Sequence, residues 1–129
     1  HLHSNNIKIP KNTQVYIVDT YGETKNFFKI CRIVFVGKSL TIQGGQNPLE
    51  PARFNCNIIH GPKVSNFYEI YKLLDKNKIS FKVNNQIQLI KKINELLKKD
   101  IRSKHVGNKI NIIGEKILKK TLIEVKKFI

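Results

Sequence analysis

Apolar residues in this chain fall into two kinds of grouping. The first is the short continuous run: Val15-Tyr16-Ile17-Val18, Ile33-Val34-Phe35-Val36, Asn57-Ile58-Ile59-His60, and Ile79 to Val83. Runs of this length, apolar at consecutive positions and rich in β-branched and aromatic residues, suit parallel strands covered on both faces. The second grouping has helical spacing. Phe67, Ile70, Tyr71 and Leu74 recur at i, i+3, i+4 and i+7, one face of a helix. Ile90, Ile93, Leu97 and Ile101 form another such face, with Lys91, Lys92, Glu95, Lys98 and Lys99 largely opposite. Ile110, Ile113, Ile117, Thr121, Val125 and Phe128 predict a last long helix with an apolar stripe. Residues 1–14 carry no period and read as an extended or disordered lead-in, so residues 15–129 are taken as the domain. The fold class expected from this alternation is α/β, a Rossmann-like parallel sheet flanked by helices.

The junctions between strands and helices share one device. Thr20 is followed by Glu23, Asn47 by Glu50 and Asn66 by Glu69, each pair with capping-box spacing just after an apolar run. Three helices are therefore expected to start beyond the carboxyl ends of strands, the edge where open α/β sheets bind ligands. The middle junction reads Gly44-Gly45-Gln46-Asn47-Pro48-Leu49-Glu50-Pro51-Ala52. Two glycines permit a sharp turn and close approach of a ligand, Asn47 suits an N-cap, and Pro48 suits the first helical position. Free N–H groups and a helix dipole at such a place favour an anion such as phosphate. A plain capped turn is the other reading of the same residues, because their spacing matches neither standard nucleotide fingerprint. Pro51 removes a donor from the first turn and could shift the helix start toward itself.

Four ordered stretches say more than spacing: Asp19-Thr20-Tyr21-Gly22-Glu23, the run from Ile33 to Leu40, Gly44 to Ala52, and His60-Gly61-Pro62-Lys63-Val64-Ser65-Asn66-Phe67. Together they resemble the C-terminal half of the Kdo transferases, bacterial inverting glycosyltransferases of the two-domain GT-B type. The likeness runs from about Val15 to about Asp100. It implies a donor-binding domain for CMP-Kdo, the sugar passing to a lipid A precursor at the cytoplasmic face of the bacterial inner membrane. The cytidine monophosphate contacts of the family carry over onto Tyr21, Gly22 and Glu23, and onto Asn47, Pro48, Leu49 and Glu50. Glu50 would hold the ribose hydroxyls, since a carboxylate accepts two hydrogen bonds. The resemblance also implies further strands in the whole enzyme, between the Val15 and Ile33 runs, which leaves strand order open. Two positions depart from the family: Gln46 stands where His is usual before Asn, and Lys38 where a second glycine is usual after Gly37. The family's catalytic carboxylate lies in the other lobe and an upstream His-Pro-basic element has no counterpart, so the chain alone is expected to be inactive.

Composition changes this picture little. Lys and Arg number 24 against 9 Asp and Glu, a net charge of +15. Lysines are spread along the chain and only Arg32, Arg53 and Arg102 are arginine, whereas Arg is the favoured base reader and bidentate phosphate ligand. The charge is read first as a solvated consequence of a Lys, Asn and Ile-rich composition, then as attraction to an anionic membrane surface, and last as nucleic-acid binding. A basic non-catalytic module of either kind is the alternative function. Its weakness is that charge alone has no use for Gly44, Gly45, Asn47 and Glu50. A GT-B transferase using another nucleotide sugar is a third reading. No cofactor and no metal are expected. Asp19, Asp75 and Asp100 form no D-x-D pair, and His60 and His105 are isolated and read as structural or solvated. His1 and His3 could take a metal only adventitiously. Cys31 and Cys56 lack C-x-x-C spacing and read as reduced thiols. No run approaches the length of a membrane-spanning helix, and no leader pattern opens the sequence.

Overall fold

The computed structural model describes residues 1–42, 44–98 and 106–128. Lys99, Asp100, Ile101, Arg102 and His105, which enter the sequence reading, lie outside the described residues. The elements are α1 (Thr24–Ile30), β1 (Ile33–Phe35), α2 (Leu49–Arg53), β2 (Asn57–His60), α3 (Tyr68–Lys76), β3 (Ser80–Lys82), α4 (Gln86–Lys98) and α5 (Val106–Val125). Short 3-10 turns occupy His3–Asn5 and Ser65–Phe67.

The three strands form one parallel sheet in the order β1-β2-β3. Ile33, Val34 and Phe35 pair with Asn57, Ile58 and Ile59, while Ile58, Ile59 and His60 pair with Ser80, Phe81 and Lys82. Successive side chains of a strand point to opposite faces, and here both faces are covered. Ile58 joins Val36, Ala52, Val64, Tyr71, Leu74, Ile79 and Ile110 in a core made with α2, α3 and the start of α5. Ile59 joins Val83 and Leu96, with Leu89 and Ile93 of α4 packed against them. The central strand is thus buried on both sides, which is why its sequence is continuously apolar. The α/β class read from the sequence holds.

The Val15–Val18 run is not a strand of this sheet. Its one ladder contact is an isolated parallel bridge between Ile17 and Leu2. Val15, Ile17 and Val18 are exposed, while Tyr16 turns inward to stack with His1 and to meet Phe27 of α1. An apolar run states that a segment can be buried, not which neighbour buries it. The segment that pairs with it is the lead-in: His1 N donates to Val15 O, His3 N donates to Ile17 O, and Ser4 donates to the Asp19 carboxylate through both its N–H and its hydroxyl.

One further expectation shifts, and the apolar stripe of the last helix is only partly covered. In α4 the buried stripe is Leu89, Ile93 and Leu96, whereas Ile90 and Leu97 are exposed. Both stripes have helical spacing, and the sheet selects the one that faces Ile59. In α5 Ile110 is buried, but the stripe continues into solvent, with Ile117, Val125 and Phe128 exposed.

Capping also differs. Glu23 occupies the N-cap position of α1 with a helical backbone and no side-chain cap bond, and its carboxylate accepts instead from Asn26 Nδ2 at 2.9 Å. The Asn66–Glu69 pair makes no cap because α3 grows out of the Ser65–Phe67 turn. A relative of the capping box forms at α4, where Gln88 N donates to Asn85 Oδ1 at 2.9 Å while the Gln88 side chain accepts from the preceding residue, Asn84 N donating to Gln88 Oε1 at 2.8 Å. This is capping-box chemistry at a place the strand-to-helix reading had passed over.

Lys38 sits in the loop after β1 with φ of 60°, in the left-handed region that glycine adopts without strain. A left-handed residue with a Cβ costs about 1–2 kcal/mol, and glycine returns part of that as chain entropy. Lys38→Gly is therefore expected to stabilise the fold by about 0.5–1 kcal/mol. Urea unfolding at constant slope measures it, and a lower midpoint for the variant would show that Lys38 makes a compensating contact.

Candidate functional site

The loop between β1 and α2 turns on its glycines. Gly44 has φ of +123° and Gly45 of +65°. A Cβ on Gly44 would meet Asn66 Nδ2 at 3.1 Å, and one on Gly45 would meet Val64 Cα and Cγ1 at 3.2 Å. The loop therefore lies directly against the segment after β2. Two bonds tie them: Asn66 N donates to Gly44 O at 3.2 Å, and the buried Tyr71 of α3 donates its hydroxyl to Gln46 O at 2.9 Å.

The sequence-selected residues fall as follows. Asn47 Oδ1 accepts from Leu49 N at 3.0 Å, an Asx turn two residues on rather than the expected three. Helix α2 then runs only from Leu49 to Arg53, with Pro48 buried at its N-cap and Pro51 inside it. Five residues give a small dipole, so the helix end contributes less to anion binding than the spacing suggested. Backbone donors make up for it. Gly44, Gly45, Gln46 and Asn47 present four consecutive N–H groups with no partner among the described residues. Successive free amides in a left-handed turn form an anion-binding concavity, and backbone donors rarely stay unpaired without a ligand or water. Glu50, half-buried in the first turn, likewise has no hydrogen bond or ion pair among the described residues.

The second cluster lies at the start of α1, and α1 packs beside α2 through Phe28 and Phe54, whose rings are 6.2 Å apart. Tyr21 is fully exposed and Gly22 has φ of +87°, a position that requires glycine. The described geometry groups Asn47, Pro48, Leu49 and Glu50 around one loop. It records no direct contact from Tyr21, Gly22 or Glu23 to them.

Behind the loops lies a buried polar cluster that the sequence reading did not select. His60 is buried at the end of β2. Its Nδ1 lies 2.7 Å from Gly61 O, and its Nε2 lies 3.0 and 3.2 Å from the two oxygens of Asp75. Both partners accept, so the ring bonds to both only when both nitrogens carry hydrogen. Ser80 donates to the same carboxylate. Tyr71 packs on His60 with ring centroids 4.3 Å apart, and a cavity of about 220 Å³ opens beside them, bordered also by Lys72, Asp75 and Lys82. Burial pushes the Tyr71 phenol far above its usual range and the Asp75 charge adds to the rise, so Tyr71 stays a donor throughout the working pH range. His60 is thus buried, and not isolated as the sequence reading had it.

Burial raises Asp75, but the bonds from His60 and Ser80 and the charges of His60 and Lys82 outweigh it and hold the carboxyl below its ordinary value of 3.8. A carboxyl lowered on folding stabilises above its unfolded pKa and loses that contribution as pH falls through the folded value. Wild type is therefore expected to be more stable than Asp75→Asn at pH 7, with the gap closing below about pH 4. Urea melts at pH 7 and pH 3 measure it, and a gap as large at pH 3 as at pH 7 would refute the assignment.

A small parallel α/β sheet with a glycine-rich loop at its carboxyl edge has the frame of the open α/β folds that bind ligands at that edge. No protein-family model matches the chain. It is 34% identical over 108 residues to the 3-deoxy-D-manno-octulosonic acid transferase of Haemophilus influenzae, covering 84% of this chain and 25% of that one. It is 32% identical over 98 residues to the enzyme of the same name from Aquifex aeolicus, covering 74% of this chain and 28% of that one. The chain thus spans about a quarter of the length of these curated relatives. Among solved structures it is similar to the C-terminal CMP-Kdo binding domain of WaaA from Acinetobacter baumannii. The TM-score is 0.77 and the identity 25%, over 88% of this chain and 59% of that one. The resemblance drawn from the motifs is borne out: in sequence and fold the chain belongs with the C-terminal domain of the Kdo transferases.

Proposed function

We propose that residues 15–129 form the donor-binding part of a glycosyltransferase that moves Kdo from CMP-Kdo to a lipid A precursor in lipopolysaccharide biosynthesis. The observation that carries this reading is the run of four N–H groups from Gly44 to Asn47, followed in the same loop and helix start by the Glu50 carboxylate, none with a partner among the described residues. The amides face the phosphate and Glu50 accepts from the ribose hydroxyls. Tyr21, Gly22 and Glu23 close the nucleotide side, with Gly22 letting the backbone come near. Gln46 donates a neutral hydrogen bond where a histidine would carry charge. The relation to proteins named as Kdo transferases and to a domain named for CMP-Kdo binding supports the choice of ligand.

The acceptor and the catalytic carboxylate belong to the other lobe of such an enzyme, so this part binds donor and transfers nothing alone. The work takes place at the cytoplasmic face of the bacterial inner membrane, where the positive charge of the chain favours anionic lipid. Among the described residues no helix is long and apolar enough to cross a membrane.

Titration with CMP beside UMP, AMP and a short DNA duplex tests the reading. Binding of CMP in preference to UMP and AMP, with duplex binding abolished by moderate salt, is the expected result. Salt-sensitive binding of the duplex alone would replace it with a charge-driven module.

A further inference from the structure

We infer that Tyr71 is a positioning residue for the glycine-rich loop, held in place by His60 and Asp75. This rests on the reading of Gly44 to Glu50 as the nucleotide loop. A peptide unit is planar and trans, so its C=O and N–H point in opposite directions. The plane that carries Gln46 O also carries Asn47 N. Tyr71 draws Gln46 O toward the core at 2.9 Å, which turns the Asn47 N–H away from the core, where it has no partner among the described residues. One buried hydroxyl thus aims the donor at the centre of the proposed phosphate site.

Tyr71 can do this because it is itself fixed. It is 1% exposed, and its ring lies 4.3 Å from that of His60. The His60 ring nitrogens lie 2.7 Å from Gly61 O and 3.0 Å from the Asp75 carboxylate, and Asp75 is held in turn by Ser80 of β3. The chain of contacts runs from β3 through α3 and the end of β2 to the loop after β1. Preorganised donors bind an anion without first having to be ordered.

Tyr71→Phe keeps the ring and deletes only the hydroxyl, and Asp75→Asn loosens the support one step further back. CMP affinity, the Asn47 amide resonance and its hydrogen exchange, and urea stability are measured on wild type and both variants. Affinity is compared only at temperatures where every protein is fully folded. Tyr71→Phe is expected to weaken CMP binding by about 5- to 30-fold, the scale of one hydrogen bond left unmade, and to shift the Asn47 amide and speed its exchange. Asp75→Asn is expected to move both in the same direction by less. A Tyr71→Phe variant that is less stable yet binds CMP as wild type does would show a packing role only and overturn the inference. If wild type binds no CMP, the nucleotide reading fails by itself. The Asn47 amide then decides the positioning role, since an unchanged amide in Tyr71→Phe overturns it and a changed one upholds it.

Discussion

Gly61→Ala is expected to lose a large part of the folding stability of this domain. A Cβ at Gly61 would lie 2.1 Å from Ser39 O, 2.4 Å from Ser39 C and 2.7 Å from Leu40 N. These are backbone atoms, so no side chain can swing aside. The contact is also where the loops after β1 and β2 are joined. Gly61 N donates to Ser39 Oγ at 2.8 Å, the same hydroxyl donates to Val36 O at 2.6 Å, and Lys63 N donates to Ser39 O at 2.9 Å. Relieving the clash would part the two loops and break these bonds. The expected cost is about 3 kcal/mol or more, against a total of about 5–15 kcal/mol for a typical domain. Urea or thermal unfolding measures it. A melting curve like that of wild type would mean that the two loops do not approach as described.

Glu50→Ala is expected to separate binding from stability. The carboxylate has no partner to lose among the described residues, so folding should change by no more than about 1 kcal/mol, the scale of a charge at a helix start. If it accepts from the ribose hydroxyls, CMP binding should weaken by about 1.5–3 kcal/mol, the scale of a hydrogen bond to a charged group. Calorimetry with CMP on the folded variant reads this directly. Unchanged affinity would remove Glu50 from the site, and a loss of stability with no loss of affinity would make it a helix residue only.

Much of the frame was legible because burial on both faces leaves a plain record. Ile58 and Ile59 feed opposite cores, so the run had to be apolar at consecutive positions. The Val15 run left the same record without a place in the sheet, because apolar continuity carries no information about the partner. The two stripes of α4, through Ile90 and Leu97 or through Leu89 and Leu96, are equally periodic, and only the position of Ile59 decides between them. Asn66 and Glu69 have capping spacing, yet the segment before α3 is a 3-10 turn held by Gly44. The Asn85–Gln88 pair, by contrast, was there to be read.

In the candidate site, Asn47 and the glycines were legible from local chemistry, and the family motifs supplied Glu50 and the Tyr21 to Glu23 segment. Tyr71 was counted as a core residue. Its hydroxyl reaches a carbonyl 25 positions earlier in the chain, and no local pattern encodes such a bond. The His60–Asp75–Ser80 cluster was missed for the same reason, since three strand and helix ends meet there only in the folded chain.

The measurement that bears most directly on the central claim is an amide chemical-shift titration of the chain with CMP. Shifts that saturate and centre on Gly44 to Glu50, with a second group at Tyr21 to Glu23, are the predicted result. Shifts confined to the lysine-bearing turns of α5, or none at concentrations where related mononucleotides are equally silent, would contradict it.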